Sequence, residues 1–207
     1  MNANECYNRL LAEQTIQSLG QRNIKGWYFE DRAAALEKAL SLIPGGGSAS
    51  CGGSETLKEL GLREGLDAGA YTFIDPLEGK GSGGMDLLAH QALTVDCFFM
   101  SANAIAATGE IVNIDGYGNR VAALIFGPKR VVIIAGMNKV THDFESAMQR
   151  AKGIAAAKTV ALFKQDYTTF AEMQAAAEMA QSQIVITKRS ATPDRIFVIL
   201  VGENLGF

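Results

Sequence analysis

The chain has 207 residues, 48% of them hydrophobic and 20% charged, with a formal net charge of −3. That length suits a single domain over 1–207, and the composition excludes a disordered or fibrous protein. The mild acidity offers nucleic acid no basic footprint, and no apolar run reaches the ~18 residues that a membrane-spanning helix needs.

In chain order, Leu10, Leu11, Ile16 and Leu19 fall at helical spacing in a segment from Glu5 to Leu19, which Gly20 ends. Ile24–Phe29 reads as a strand, and Asp31 is placed to cap a helix running to Ala39. After the break at Pro44-Gly-Gly-Gly, a short strand Ser48–Cys51 enters the turn Gly52-Gly53-Ser54 and a helix reaching Leu60. Tyr71–Ile74 is predicted as a strand, followed by a glycine-rich loop to Gly84 whose stretch 79–84 is expected to be a flap or a surface excursion. A helix over Asp86–Leu93 precedes a strand over Asp96–Met100, buried on both faces. Ile105–Ile114 suggests a hairpin turning at Thr108-Gly109, and Arg120–Phe126 a short apolar helix. Arg130–Ala135 (RVVIIA) is the clearest central strand. Helices over Phe144–Ala157 and Thr169–Ala180 and strands over Ile184–Thr187 and Ile196–Val201 complete the chain. The alternation predicts an α/β fold, a mostly parallel sheet flanked by helices, with an antiparallel insertion near residue 110.

Three cysteines (Cys6, Cys51, Cys97) stand far apart, as do the two histidines, His90 and His142. Neither a disulfide framework nor a zinc or iron–sulfur ligand set emerges, so a cofactor-free protein without a metal is expected. Met1-Asn-Ala-Asn-Glu-Cys-Tyr-Asn-Arg lacks the apolar stretch of a secretory leader, and a cytoplasmic location is expected. Cys97 reads as core packing, Cys51 is ambiguous beside its glycine turn, and the histidines read as surface or cap residues.

Two stretches carry candidate chemistry. In Cys51-Gly-Gly-Ser-Glu-Thr56, a strand runs through two glycines into a helix whose first amides face the loop. Such a terminus accepts a carboxylate or phosphate, with Gly52, Gly53, Ser54 and Thr56 as contacts, although Glu55 puts a negative charge into the same turn. The other reading is an ordinary strand–helix turn with Ser54 as cap. The second stretch, Ser101 to Arg120, gathers Asn103, Glu110, Asn113, Asp115, Asn119 and Arg120 between apolar runs. Asp115-Gly116 is a turn signal, and Asp115 or Asn119 is placed to cap the next helix. The remaining polar residues point to a ligand crevice, where residues after parallel strands gather. Arg120 would pair with an anion, and Lys139, just past the RVVIIA strand, would either meet that anion or be an ordinary loop lysine. Glu55 and Glu110 are the candidate nucleophiles or acid–base groups. The Asp115 region lacks calcium-loop spacing, and the 79–84 glycines lack the strand context of a dinucleotide fingerprint.

These stretches resemble the LUD domain of LutC-like lactate-utilization proteins (DUF162). The resemblance runs from about Asn8 to Lys164 and from Gln183 to Phe207. It is most specific in Met100-Ser-Ala-Asn-Ala-Ile and in Thr108 to Pro128 (TGEIVNIDGYGNRVAALIFGP), with support from 52–56, 135–139 and the terminal VGENLGF. It implies a fold similar to glucosamine-phosphate deaminases, ribose-phosphate isomerases and CoA transferases. It also implies a part in oxidising lactate to pyruvate beside iron–sulfur and FAD-containing partners. Many short relatives carry a cysteine cluster between the regions matching Lys164 and Gln183. Here that interval has no cysteine and reads as a helix, so a metal or redox role does not carry over. Two other readings stay open: a stand-alone transferase- or isomerase-like enzyme on an acyl or phosphorylated substrate, and a non-catalytic module binding a small anionic ligand. Homo-oligomerisation is left open as well.

Overall fold

The structure, a computed structural model, describes residues 2–79 and 84–207. The glycine-rich stretch 80–83, the heart of the expected flap, lies outside the described residues.

Helix α1 (Ala3–Gly20) starts two residues earlier than its apolar pattern suggests, because Asn2 and Glu5 form a reciprocal capping box. Strand β1 (Lys25–Phe29) leads to α2 (Arg32–Ser41), whose cap is Asp31, accepting from the Ala34 amide at 2.9 Å. Then come β2 (Ser48–Cys51), α3 (Glu55–Leu60), α4 (Leu62–Asp67) and β3 (Thr72–Ile74). Next are α5 (Met85–Gln91), β4 (Cys97–Met100), β5 (Ala104–Ala106), β6 (Ile111–Asp115) and α6 (Asn119–Phe126). Strand β7 (Arg130–Gly136) passes through a single 3₁₀ turn into the two-residue β8 (Val140–Thr141). Helix α7 (Phe144–Gln149) continues through a π-helical stretch, Arg150–Ala155, into α8 (Ala156–Phe163). The chain ends in α9 (Phe170–Met179), β9 (Gln183–Thr187) and β10 (Ile196–Val201).

Among the described residues, six strands form a wholly parallel sheet in the order β1-β10-β7-β4-β2-β3. Its central strands have apolar residues on both faces, as continuous Val/Ile runs require. Along β10, Ile196, Val198 and Leu200 enter one core, with Ala12 and Leu19 of α1 and Leu124 of α6. Phe197, Ile199 and Val201 enter the other, with Ala35 and Ala39 of α2 and Leu57, Leu60, Leu62 and Leu66 of α3 and α4. Each fully buried Leu or Ile contributes about 1.5–3 kcal/mol, so these two layers hold the frame on which the loops sit.

The expected antiparallel insertion near residue 110 is a second sheet, ordered β8-β5-β6-β9. Ile105 and Ile111 join the first core, whereas Ala104, Ala106, Val112 and Ile114 pack on Ala147 and Ala151 beyond. One expectation is corrected here: Gln183–Thr187 does not join the main sheet but runs antiparallel to β6, Asn113 opposite Val185. The other correction concerns length: the helix beginning at Phe144 runs on to Phe163.

Candidate functional site

A cavity of ≈ 950 Å³ opens at the carboxyl ends of β2, β4 and β7, between the central sheet, the end of β6 and helices α8 and α9. Gly52, Gly53, Ser54, Glu55, Thr56, Asn103, Asp115, Arg120 and Lys139 all line it. Of the polar residues singled out in the two stretches, Glu110, Asn113 and Asn119 do not line it; Asn113 is fully buried on β6, opposite Val185.

The β2–α3 turn is as expected in shape and different in consequence. Ser54 is the N-cap, accepting from the Leu57 amide at 3.4 Å. Helix α3 has six residues and its first turn holds Glu55, which pairs with Lys58 at 3.4 Å. A helix this short, with an anion already in place, has little dipole to offer. Of the two glycines, Gly52 acts through space instead, whereas a Cβ on Gly53 would meet nothing within 4 Å among the described residues. A Cβ on Gly52 would stand 2.7 Å from both Cγ and Cδ of Arg120, so the absent side chain is what lets Arg120 lie across the turn.

Arg120 is held from two sides: Nε lies 3.2 Å from Asp115 Oδ2, and Nη2 donates to the Ile114 carbonyl at 2.7 Å. Asp115 is 4% exposed and turns its loop by accepting from the amides of Tyr117 and Gly118, each at 3.1 Å. Gly118, with φ of 96°, holds the N-cap position of α6 that the sequence suggested for Asn119 or Asp115; Asn119 is simply the first helical residue. Asn103 pins the same hairpin, its Oδ1 accepting from the Ile114 amide at 2.9 Å. With Nε and Nη2 engaged, Nη1 is the edge of the guanidinium left for a ligand.

Lys139 is the most unusual group of the site. It is 3% exposed, and its Nζ donates to Thr56 Oγ1 at 2.7 Å and Ser101 Oγ at 3.1 Å. Thr56 in turn donates to the Leu205 carbonyl at 3.2 Å, so its lone pairs face the lysine. Among the described residues no carboxylate forms an ion pair with Lys139. Burial pushes its pKa down to about 7; Arg150 and Arg120 push the same way and Glu59 opposes them.

Arg150 and Ser101 had no clear signal in the sequence. Arg150 lies in the π-helical stretch after α7, 8% exposed, and donates to the carbonyls of Asn138 (2.8 Å) and Asn103. An arginine in an alanine-rich helix reads as solvated until the extra backbone residue of the π turn redirects it. Asn138 ties the chain end to the site: its Oδ1 accepts from the Leu205 amide at 3.1 Å and its Nδ2 donates to the Gly206 carbonyl at 3.2 Å. The apolar wall, with Val160 and Phe163 of α8 and Ala177 of α9, comes partly from the interval where relatives were expected to carry cysteines. Gln181 Oε1 lies on this wall, sealed from solvent and without a hydrogen-bond partner.

The remaining candidates fall outside the site or are inert in it. Glu110 caps the hairpin turn, bonded to Arg22 and Thr108. Burial pushes its carboxyl up, but hydrogen bonds from Thr108 and its own backbone, together with Arg22, outweigh that and hold it below the usual range. Cys51 lines the cavity, but burial pushes its thiol up to about 12, as it does that of Cys97, so neither is a thiolate. His90 meets the Asp86 carbonyl and His142 meets the Tyr7 hydroxyl, both away from the cavity. Among the described residues no cluster of three or more His, Cys, Asp or Glu is placed to hold a metal ion. None of the described helices is long and apolar enough to cross a membrane.

A search of curated proteins returns no relative for this chain. Among solved structures it is similar to a DUF162 family protein from Deinococcus radiodurans, with a TM-score of 0.55 and 14% identity over 96% of this chain and 98% of that one. At that identity the likeness shows the fold alone. The family model described as the LUD domain matches residues 12–201, which hold every described strand of both sheets and every cavity-lining residue except Phe207. The chain therefore belongs to the LUD domain family, the family associated with lactate utilization.

Proposed function

We propose that this LUD-domain protein serves lactate utilization as a LutC-like component, binding a small carboxylate in the cavity during the oxidation of lactate to pyruvate. The observation that carries the reading is the Arg120 guanidinium, held on the wall of one cavity at the carboxyl ends of parallel strands, with the Lys139 amine on the same wall. The Nη1 that Arg120 leaves open is a charged donor, and charge-assisted hydrogen bonds to a carboxylate are the strong ones. The Arg120–Asp115 pair fixes the guanidinium before a ligand arrives, which spares the entropy of ordering it. The apolar wall of α8 and α9 suits the short carbon skeleton of such a ligand. Iron–sulfur and FAD-containing proteins are the proposed partners that would carry the electrons.

Isothermal titration with lactate, pyruvate and the uncharged analogue lactamide tests the reading. Saturable binding of the acids, and none of the amide, is expected. Equal affinity for lactamide, or no heat with either acid, would remove carboxylate recognition from this cavity.

A further inference from the structure

We propose that Lys139 is an amine nucleophile, and that the cavity condenses it with the carbonyl carbon of a 2-oxo carboxylate whose carboxylate group pairs with Arg120. The substrate class rests on the carboxylate reading above; the nucleophile rests on the surroundings of Lys139 itself.

Those surroundings differ from those of the paired surface lysines. Lys25, Lys58, Lys129 and Lys164 each pair with a carboxylate, on Asp194, Glu55, Asp96 and Asp166. Lys139 is buried against two neutral hydroxyls instead, with the guanidinium groups of Arg120 and Arg150 near enough to disfavour its charge. A lysine kept as a structural cation would be given an anion; burial among cations makes it an amine. The nitrogen has four tetrahedral directions. One is taken by Cε, and two hold the N–H groups donated to Thr56 and Ser101. The fourth carries the lone pair, and it is the direction left for a ligand in the cavity that Lys139 lines. The charged groups acting on it are Arg150 from the π-helical stretch, Arg120 from α6 and Glu59 from α3.

The step balances without an oxidant or reductant. The lone pair of Nζ attacks the carbonyl carbon, and the π pair moves to oxygen. A proton passes from nitrogen to that oxygen, for which the Ser101 hydroxyl at 3.1 Å is a relay. The carbinolamine then loses its oxygen as water, and a carbon–nitrogen double bond forms. Amine and ketone become imine and water. A 2-hydroxy acid has no ketone carbonyl at its second carbon and stops at binding, so the same cavity distinguishes the two oxidation levels of one carbon skeleton.

Reductive trapping of the intact protein with pyruvate and sodium cyanoborohydride, read by intact mass and peptide mapping, tests this. At pH 7 a surface lysine with a pKa near 10.4 is unprotonated in fewer than about 1 molecule in 1,000, so a single adduct at Lys139, at least about tenfold over any other lysine, is expected. Its rate should rise with pH through a midpoint near 7. Saturating lactate should suppress it on the unaltered protein, which keeps the test independent of any variant's folding. K139R, checked for folding by circular dichroism, should yield no adduct at that position. Pyruvate bound by calorimetry without an adduct at Lys139, or adducts scattered over surface lysines, would overturn the inference and leave the carboxylate reading standing. Absence of any carboxylate binding and of any adduct would take down both.

Discussion

The polar stretch from Ser101 to Arg120 ends in two regions with opposite bookkeeping. At the hairpin turn, Glu110 accepts from Arg22 and Thr108, while Arg22 also donates to the Thr108 and Lys188 carbonyls at 2.9 and 2.7 Å. Donors and acceptors there close on one another and tie the turn after α1 to the second sheet. In the cavity, a similar mixture of residue types leaves groups unspent: Nη1 of Arg120, the fourth direction of Lys139 and Oε1 of Gln181. The difference teaches that polar density marks both a clasp and a binding site. The count of satisfied partners separates these two places, but it needs a cavity beside it: Asn113 on β6 is buried, both its side-chain polar atoms lack a partner among the described residues, and it does not line the cavity.

The largest expected effect tests whether the two regions belong to one cooperative unit. Ile133, at the middle of β7, is fully buried in the core shared by the central sheet and by Ile105 and Ile111 of the hairpin. Ile133→Ala should cost about 2–5 kcal/mol and lower one calorimetric transition as a whole. Two transitions, with only one of them moved, would separate the second sheet from the first and break the single-domain reading.

Next in size are changes at Arg120. Arg120→Ala should weaken lactate binding by about 1–3 kcal/mol, measured by titration, and should also lower the melting temperature, because it leaves the buried Asp115 carboxylate without its partner. Gly52→Ala keeps the charge but puts a Cβ 2.7 Å from the Arg120 stem, and should reproduce much of that loss. Arg22→Ala is the mirror experiment: about 1–2 kcal/mol of stability lost in chemical denaturation, and lactate affinity unchanged. A fall in affinity in the Arg22 variant would mean that the clasp and the site are coupled.

Much of this was legible in the residues. Runs such as RVVIIA on β7 and IFVILV on β10 have no polar face, and only the interior of a parallel sheet accepts them. The glycine turn at 52–53 and the Asp115 loop announced themselves by residue types that few other conformations favour. What stayed hidden depends on contacts distant in sequence. β9 carries Ile184, Val185 and Ile186, which read as a core strand, yet Ile184 and Ile186 are each 38% exposed on a sheet edge. β8 is two residues long and exists only because β5 lies beside it. Glu110 and Arg22 are 88 positions apart, so no local pattern could assign that carboxylate to a clasp instead of to catalysis. The depressed pKa of Lys139 likewise comes from burial and from Arg150 and Arg120, none of which its neighbours in the sequence reveal.

The smallest expected effect concerns the clasp and its response to acid. The folded protein holds the Glu110 carboxyl below its ordinary value of 4.5. A group whose folded pKa is depressed binds its proton less readily than the unfolded chain does, so between the two values the unfolded state holds more protons. The clasp's contribution is therefore fully present above about pH 4.5 and fades as pH falls through the lower folded value. The Glu110 and Arg22 side chains are 16% and 26% exposed, and solvent screening keeps this contribution to no more than about 1 kcal/mol. Urea denaturation of the protein and of Glu110→Gln between pH 7 and pH 3 measures it. The two stabilities should differ at pH 7 and converge toward pH 3, while lactate affinity at pH 7 stays equal. A gap that persists at pH 3 would assign the loss to the shape of the turn and not to the charge, and a drop in affinity would restore Glu110 to the site.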